Sequence, residues 1–269
     1  MSGSDLIFTF KNERFEADYV SFGSGKDVLV ILPGLSLTPV SLNALAIKSA
    51  YSVFEEHYTV YLFERRKEIP EGFTLFDIAD DTAGMMRGIG IKSAFVFGVS
   101  MGGMVSQLLA ARYPELVRGL ALASTLSKSN GVFDCVMREW GSLARRGENV
   151  TLNRSFFEYV YSKEYREKYA KAFAVLENSG TPEQLARFAN LTDACRGFDA
   201  SGELEGIACK SLVLGGADDK AVPVDYQREL ASALHAKIKI YGGYAHAVYD
   251  EAPGFKEDVL HFFDCIGGR

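Results

Sequence analysis

Cysteine is scarce in this sequence, and its placement excludes the simplest structural uses of thiols. The 269 residues contain four cysteines, and these are widely separated. They form neither a C-x-x-C pair nor a Cys/His spacing typical of a metal site. We therefore expect buried, reduced thiols, with no disulfide framework, no metal and no cofactor. The four residues are Cys135, Cys195, Cys209 and Cys265.

Basic charge and long apolar runs are lacking as well. Lysine and arginine number 29 against 35 acidic residues, so the net charge is -6 at pH 7. This balance disfavours binding to the phosphate backbone of nucleic acids. No apolar run is of membrane-spanning length, and no low-complexity tract or internal repeat occurs. Residues 1–15 lack the apolar region of a secretory signal. We expect a cytoplasmic protein with no nucleic-acid or membrane partner.

The stretch that the chain does offer for chemistry is residues 92–114. An apolar, aromatic-rich run over 94–97 predicts a buried strand, and it leads directly into a G-x-S-x-G motif centred on Ser100. Apolar residues within 104–109 then recur at helical spacing. A serine at a sharp turn from strand to helix is the context of a nucleophile elbow, in which a strained backbone exposes the hydroxyl.

Strands and helices alternate on both sides of this motif, which indicates a parallel sheet covered on both faces. The opening two strands, joined by a turn over 11–13, predict an antiparallel hairpin. Between about 130 and 204 only helices are predicted, so this segment interrupts the alternation. The predicted strands cover residues 6–10, 15–22, 28–32, 58–63, 94–97, 117–123, 211–214 and 237–241. The predicted helices other than the one after Ser100 cover 44–54, 77–89, 133–145, 152–161, 164–178, 182–195, 224–234 and 255–265, with Asp80 and Asp81 on the outer side of their helix.

A serine nucleophile needs a histidine base and an acid that orients the histidine. Of the four histidines, His246 lies in a Gly-rich loop just after the last predicted strand, whereas His57, His235 and His261 have surface or capping positions. The carboxyl ends of parallel strands are where such sheets place their sites. Asp218 and Asp219 follow another strand end, and alternation along an extended chain lets only one of them face the histidine.

The oxyanion formed in acyl transfer requires donors that are fixed in advance, usually backbone N–H groups. Met101, at the start of the helix after Ser100, offers one such donor. The loop after the predicted strand 28–32 offers the second. Because Pro33 has no N–H, Leu35 is the expected donor there.

From its first hairpin to its last helix, the chain resembles an α/β-hydrolase with a helical cap. Ser100 lies in a close match to the family's elbow, and His246 in a match to its histidine loop. The family's acid stands four residues before a proline, so the resemblance to Pro223 implies Asp219 as the acid. Ser100 separates the chain from the dehalogenase branch, whose nucleophile is aspartate. The resemblance implies a core over 1–125 and 207–269, with a cap over 126–206.

Two segments depart from the family pattern. The strand that usually ends in His-Gly ends here in Pro33-Gly34. After the next strand, where many members carry an Asp and an Arg-Gly, this chain has Glu64-Arg65-Arg66. These departures concern the substrate subgroup more than the chemistry.

The predicted helical insertion is rich in aromatic residues, including the single tryptophan, Trp140. These rings either form a lid over an apolar acyl or alkyl pocket or pack the insertion onto the core. Four arginines of the segment could meet an anionic substrate, although a solvated charged face is the simpler interpretation. The aromatic residues between 156 and 173 are Phe156, Phe157, Tyr159, Tyr161, Tyr165, Tyr169 and Phe173, and the arginines are Arg145, Arg146, Arg154 and Arg166.

The resulting hypothesis is a serine hydrolase of small carboxylic esters or thioesters. Ser100 would attack, His246 would move the proton and Asp219 would orient His246, with an acyl-enzyme as intermediate. The substrate would be a small apolar or amphiphilic molecule. One alternative is hydrolysis of a carbon–carbon bond in a diketone-like substrate. Another is a small-ligand receptor that retains the triad without using it.

Overall fold

The computed structural model describes residues 3–269. Its strands are β1 Ile7–Lys11, β2 Glu16–Phe22, β3 Asp27–Leu32, β4 Tyr58–Phe63, β5 Ala94–Val99, β6 Val117–Ala123, β7 Lys210–Gly216 and β8 Lys237–Tyr241. Its α-helices are α1 Ala44–Ala50, α2 Leu75–Gly88, α3 Met101–Arg112, α4 Gly131–Arg145, α5 Asn149–Val160, α6 Lys163–Lys168, α7 Ala170–Leu176, α8 Pro182–Cys195, α9 Val224–Ala233, α10 Val248–Glu251 and α11 Phe255–Gly267. Within these residues, no helix is both long and apolar enough to cross a lipid bilayer.

In the described part of the chain the strands form one eight-stranded sheet with the order β1-β2-β4-β3-β5-β6-β7-β8. β2 pairs antiparallel with both β1 and β4, and the remaining neighbours are parallel. The predicted opening hairpin and mostly parallel sheet are therefore confirmed. In the hairpin turn, the Asn12 side chain accepts hydrogen bonds from the amides of Arg14 and Phe15.

β5 lies in the middle of the sheet, and all six of its residues are buried. Alternate side chains of this strand enter different apolar layers, with Val96 on one face and Phe95 and Phe97 on the other. The first layer also contains residues of α2 and α3, and the second contains residues of α11. Because both faces are covered, the strand can be apolar throughout.

α4 to α8 all lie between β6 and β7, where the sequence predicted a helical segment. Their boundaries are set by strong local signals. Asn130 accepts hydrogen bonds from two amides at the start of α4. Thr181 forms a capping box with Gln184 at the start of α8, and Pro182 occupies the first helical turn.

Two predicted helices are broken in the structure. The segment predicted as 44–54 is α1 followed by a short 3-10 turn, Ser52–Phe54, and the segment predicted as 164–178 is α6 followed by α7. A tyrosine leaves the helical conformation at each break, with ψ of 16° at Tyr51 and 25° at Tyr169. Helical spacing of apolar residues continues across both breaks, so the pattern could not reveal them.

Two predictions of exposure were also wrong. Asp81 was expected on the outer side of α2 but is buried, because Arg66 from the end of β4 covers it with two hydrogen bonds of 2.6 Å. Of the cysteines, Cys135 and Cys265 are exposed and only Cys195 is fully buried. The two exposed thiols lie on helices that have one face in solvent.

Candidate active site

Ser100 lies at the junction of β5 and α3, in a backbone conformation that L-residues rarely adopt. Its φ is 51° and its ψ is -118°. Such a conformation costs on the order of 1–3 kcal/mol, which the surrounding hydrogen bonds must offset. The Ser100 amide donates to the carbonyl of Ala123 at 2.8 Å, and its carbonyl accepts from Thr125 Oγ1 at 2.8 Å. The turn is therefore held from β6 and the segment after it.

The glycines on each side of Ser100 are required by close packing. A Cβ on Gly98 would lie 2.2 Å from Ser106 Oγ, and one on Gly102 would lie 2.0 Å from the Leu32 carbonyl oxygen. Neither distance is compatible with a side chain. The G-x-S-x-G pattern thus follows from the approach of α3 to β3 and β5.

His246 follows β8, and its Nδ1 lies 2.8 Å from Oδ2 of Asp219. Both residues are buried, with 4% and 5% of their surface exposed. A carboxylate can only accept, so Nδ1 carries the proton and Nε2 of the neutral ring is left as an acceptor. Asp218 is exposed to solvent and takes no part in this pair.

The carboxylate of Asp219 is held in place by further donors. Its Oδ1 accepts hydrogen bonds from the amides of Ala221 at 2.9 Å and Val222 at 2.8 Å. Gln227 Nε2 lies 3.4 Å from Oδ2. The carboxylate is therefore oriented before any substrate binds, and it can orient His246 in turn.

Ser124 is a residue of this site that the sequence analysis missed. It follows β6 with a φ of 49°, and its Oγ donates to the backbone carbonyl of His246 at 2.7 Å. Its amide donates to the carbonyl of Leu214 at the end of β7. Ser124 thus connects the ends of two strands to the histidine loop. Its sequence position at a strand end was the only available signal.

Ser100 and His246 open onto one space, which we call the inner cavity. It has a volume of about 440 Å³ including its mouth. Leu35 and Met101 line it too, so four of the five predicted site residues meet there, while Asp219 lies behind His246. The complete lining is Gly34, Leu35, Ser100, Met101, Phe133, Met137, Trp140, Phe156, Val160, Cys195, Ala221, His246 and Tyr249.

The helices between β6 and β7 supply much of this lining. Trp140 comes from α4, and Phe156 and Val160 come from α5. Of the predicted aromatic group, Tyr165 and Tyr169 pack on each other outside the cavity, with ring centroids 4.6 Å apart. Some of the aromatic residues therefore line the inner cavity, and others pack on each other outside it.

Of the four predicted arginines, Arg145, Arg146 and Arg154 carry ion pairs on the surface, whereas Arg166 is half-buried. Arg145 pairs with Asp193, and Arg154 pairs with Glu177. None of the four predicted arginines lines the inner cavity. The interpretation as a charged surface fits these contacts.

The other three histidines lie away from the inner cavity. Nδ1 of His57 lies 2.8 Å from Asp264, and His261 contacts the thiol of Cys265. His235 follows α9 with a φ of 48°. Across residues 3–269, no group of three or more His, Cys, Asp or Glu side chains is arranged to hold a metal ion.

Arg65 is the second residue that the sequence analysis did not assign to the site. Its guanidinium donates to the carbonyls of Pro33 at 3.2 Å and Gly34 at 3.1 Å. A further bond of 3.2 Å reaches Ser36 Oγ. In a trans peptide the C=O and the next N–H point in opposite directions. Because Arg65 holds the Gly34 carbonyl, the Leu35 N–H points away from Arg65.

Glu64 connects this loop to the helical segment. Its carboxylate accepts from the Val40 amide at 2.8 Å and from Arg187 Nη2, on α8, at 3.1 Å. Burial alone would raise the pKa of Glu64, but the charges of Arg65 and Arg187 together with backbone donors outweigh it and lower the pKa. The carboxylate is thus kept ionised as the centre of a buried network. The departure from the family pattern at 64–66 was the sequence signal for it.

Comparison with known proteins points to one family. The family model described as alpha/beta hydrolase fold matches residues 27–253. A protein of Pantoea ananatis named "Putative carbamate hydrolase RutD" is 24% identical over 218 residues, which cover 74% of this chain and 76% of that protein. A protein of the same name from Agrobacterium fabrum is 25% identical over 242 residues, covering 82% and 90% of the two chains.

Solved structures share the fold over nearly the whole chain. An alpha/beta hydrolase enzyme, MGS-M2, from a Medee basin deep-sea metagenome library superposes with a TM-score of 0.85 at 22% identity, over 95% of this chain and 97% of that one. The enol-lactonase from Burkholderia xenovorans superposes with a TM-score of 0.83 at 23% identity, over 95% and 99%.

Proposed function

Because this chain belongs to the alpha/beta hydrolase family, whose model spans residues 27–253, we propose that it is a serine hydrolase of small carboxylic esters or thioesters. The observation that carries the proposal is the 2.8 Å pairing of His246 with Asp219, in a cavity that Ser100 also lines. A base that is already oriented and a serine in a strained turn are the parts that acyl transfer needs.

In the proposed reaction, His246 Nε2 takes the proton of Ser100 while the hydroxyl oxygen attacks the substrate carbonyl. The tetrahedral intermediate collapses when His246 returns that proton to the departing alcohol or thiol, which leaves an acyl group on Ser100. A water then gives its proton to His246 and attacks the acyl carbonyl. This second intermediate collapses when His246 returns that proton to Ser100 Oγ, which releases the carboxylic acid and restores the serine hydroxyl. Asp219 keeps the His246 ring in the required tautomer throughout.

The negative charge of each intermediate would be stabilised by the amides of Leu35 and Met101. Within the described residues, neither amide has a hydrogen-bond acceptor. Both residues line the inner cavity. The Met101 N–H is also in the first turn of α3, where the helix dipole favours negative charge. Two unpaired donors beside a nucleophile form an oxyanion hole.

The domain organisation belongs to the same proposal. Residues 1–125 and 207–269 would form the catalytic core, and residues 126–206 would form a cap. α4 and α5 contribute rings to the roof of the inner cavity, which supports a role for this segment in holding apolar substrate groups.

A carbamate is a second candidate substrate. It is favoured by the similarity to the proteins of Pantoea ananatis and Agrobacterium fabrum that are named carbamate hydrolases. A carbamate carbonyl can be attacked by the same serine, with the same pair of donors for the oxyanion. Carbamate and ester substrates of equal size would separate the two candidates by their kcat/KM values.

The proposal is tested with p-nitrophenyl acetate and a fluorophosphonate probe. We expect turnover and covalent labelling of the native protein, and we expect Ser100→Ala to abolish labelling and lower kcat at least about a thousandfold. Ser106→Ala is the matched control, because Ser106 is buried on the same helix but does not line the cavity. Labelling that persists in Ser100→Ala would identify another nucleophile. If the protein is labelled but turns over no ester, thioester or carbamate, the alternative of a small-ligand receptor would be favoured. If it turns over diketones alone, the alternative of carbon–carbon bond hydrolysis would be favoured.

A further inference from the structure

A larger space adjoins the inner cavity, and we call it the outer cleft. Its volume is about 1200 Å³ including its open side. The two spaces share the walls formed by Gly34, Leu35, Phe156, Val160 and Tyr249. The two spaces therefore lie side by side, within the length of one extended substrate.

Asp250 is the single charged residue among the residues that line the outer cleft. It is the third residue of α10 and stands four residues after His246. Among residues 3–269, its carboxylate has no hydrogen-bond donor within reach and no cationic partner within 4 Å. The other lining side chains are apolar or neutral. Asp250 is exposed to the solvent of the cleft, so among the lining residues it is the one fixed negative charge that a ligand entering this space would meet.

Three tyrosines face the same carboxylate. Tyr51, Tyr161 and Tyr249 all line the outer cleft. Burial raises the pKa of each phenol, and the negative charge of Asp250 raises it further. No hydrogen bond to any of these hydroxyls is present in the described chain. The carboxylate thus shares the cleft with aromatic rings, and a ring face that is free attracts cations.

The remaining charges near Asp250 are already engaged elsewhere. Lys256 Nζ donates to the Tyr249 carbonyl at 2.8 Å and lies over the Tyr51 ring. Glu251 accepts a hydrogen bond from the Ser162 amide. Tyr165 stacks behind Tyr161, with 5.3 Å between ring centroids. Lys256 lies near enough to act on Asp250 through space but makes no ion pair with it.

We propose that Asp250 and the ring of Tyr161 form a subsite for a cationic group, so that the preferred substrates are esters with an ammonium group on an apolar body. The apolar walls of the outer cleft accommodate the body. The carboxylate supplies the charge that an ammonium group needs after it leaves water. This inference rests on the proposed function for its reaction, and on the outer cleft alone for its ligand.

The kinetic test uses two pairs of esters in which a trimethylammonium group is replaced by the isosteric tert-butyl group. One pair carries it on the alcohol: 2-(trimethylammonio)ethyl and 3,3-dimethylbutyl butyrate. The other pair carries the varied group on the acyl chain: p-nitrophenyl 6-(trimethylammonio)hexanoate and p-nitrophenyl 7,7-dimethyloctanoate. In one pair we expect the cationic ester to have about tenfold higher kcat/KM, as a partly desolvated cation–carboxylate contact would give. Asp250→Asn should bring that ratio to about one, with the neutral ester unchanged within about threefold.

Asp225→Asn is the matched control, because Asp225 is highly exposed on α9 and lines neither space. Its ratio should equal that of the native protein. A native ratio of one or less in both pairs would overturn the subsite, and so would a ratio that survives Asp250→Asn.

The pH dependence of the ratio gives an independent readout. The surrounding protein limits the hydration of the Asp250 carboxylate and raises its pKa to about 6, against the opposing charge of Lys256. The carboxylate is charged above that pH and neutral below it. The preference for the cationic ester should therefore be present at about pH 8 and lost at about pH 5. Protonation of His246 slows the hydrolysis of both esters by the same factor, so it cancels in the ratio of their kcat/KM values.

A binding measurement separates this inference from the proposed function. Calorimetry with hexyltrimethylammonium and the Ser100→Ala protein requires no turnover. We expect binding that Asp250→Asn weakens about tenfold and Asp225→Asn leaves unchanged. Binding of this kind without ester turnover would retain the subsite and reject the hydrolase. Turnover without such binding and without a cation preference would retain the hydrolase and reject the subsite.

Discussion

Two neighbouring carboxylates at the end of β7 differ completely in their surroundings. Asp219 is buried and bonded to His246, whereas Asp218 is exposed. We expect Asp219→Asn to lower kcat by about a thousandfold or more, because an amide at this position favours the wrong tautomer of His246. Asp218→Asn should change kcat by less than about twofold. Both are measured with p-nitrophenyl acetate, and a more severe defect in Asp218→Asn would contradict the assignment of the acid.

Some residues of the proposed site carry strong local signals in the sequence. Ser100 was predicted from a motif whose glycines are required by packing, and Asp219 from the resemblance of its spacing to Pro223 to the acid loop of α/β-hydrolases. Arg65 and Asp250 were not predicted. Their roles depend on which groups the fold leaves without a partner, and residue order alone does not contain that information.

The loop from Pro33 to Ser36 is short, and Arg65 holds three of its polar groups. We expect Arg65→Met to lower kcat by about tenfold to a hundredfold with little change in KM, because a freely rotating Gly34–Leu35 peptide no longer aims its N–H. Arg65→Lys should recover part of the loss. Kinetics on protein shown to be folded by circular dichroism would test this.

Arg66→Met provides the comparison for this loop variant. Arg66 is also largely buried and pairs with Asp81, but it does not contact the loop. Its loss should lower stability without lowering the kcat of the folded protein. If both variants changed kcat equally, or if Arg65→Met changed only KM, Arg65 would have a structural role alone.

At the level of elements, the strands and the well-capped helices were predicted within a few residues. β4, β6, β8 and α8 have the predicted bounds. The breaks between α1 and its following turn and between α6 and α7 were missed, because apolar spacing continues through them. α10 was also missed, since four residues are too few to show a helical period.

Across the whole molecule, burial is unequal. All six residues of β5 are buried, whereas α6 and α7 contain no buried residue. We expect amide hydrogens of α6 and α7 to exchange much faster than those of β5, because local opening there exposes little apolar surface. Hydrogen exchange followed by mass spectrometry measures both regions in one sample. Equal protection would remove the idea that this part of the proposed cap opens to admit substrate.

The global architecture was predictable because the alternation of strand and helix leaves few topologies. The continuous apolar runs of β5 and of β3 after Asp27 indicated a sheet buried on both faces. The shape of the cavities was not predictable in the same way. It depends on how α4, α5 and α8 lie over the strand ends. In the sequence, the aromatic residues of this segment were compatible both with a lid over a pocket and with a layer packed on the core.

The bond from Arg187 to Glu64 has a thermodynamic consequence for inhibition. It joins α8 to the carboxylate that also holds Arg65 and the Val40 amide, next to the loop of Leu35. Linked equilibria act equally in both directions. If docking of α8 favours the loop geometry that receives an oxyanion, then a tetrahedral inhibitor at Ser100 must favour docking of α8 by the same free energy. The affinity of such an inhibitor would therefore depend on whether α8 is docked, although α8 is connected to the loop only through this network.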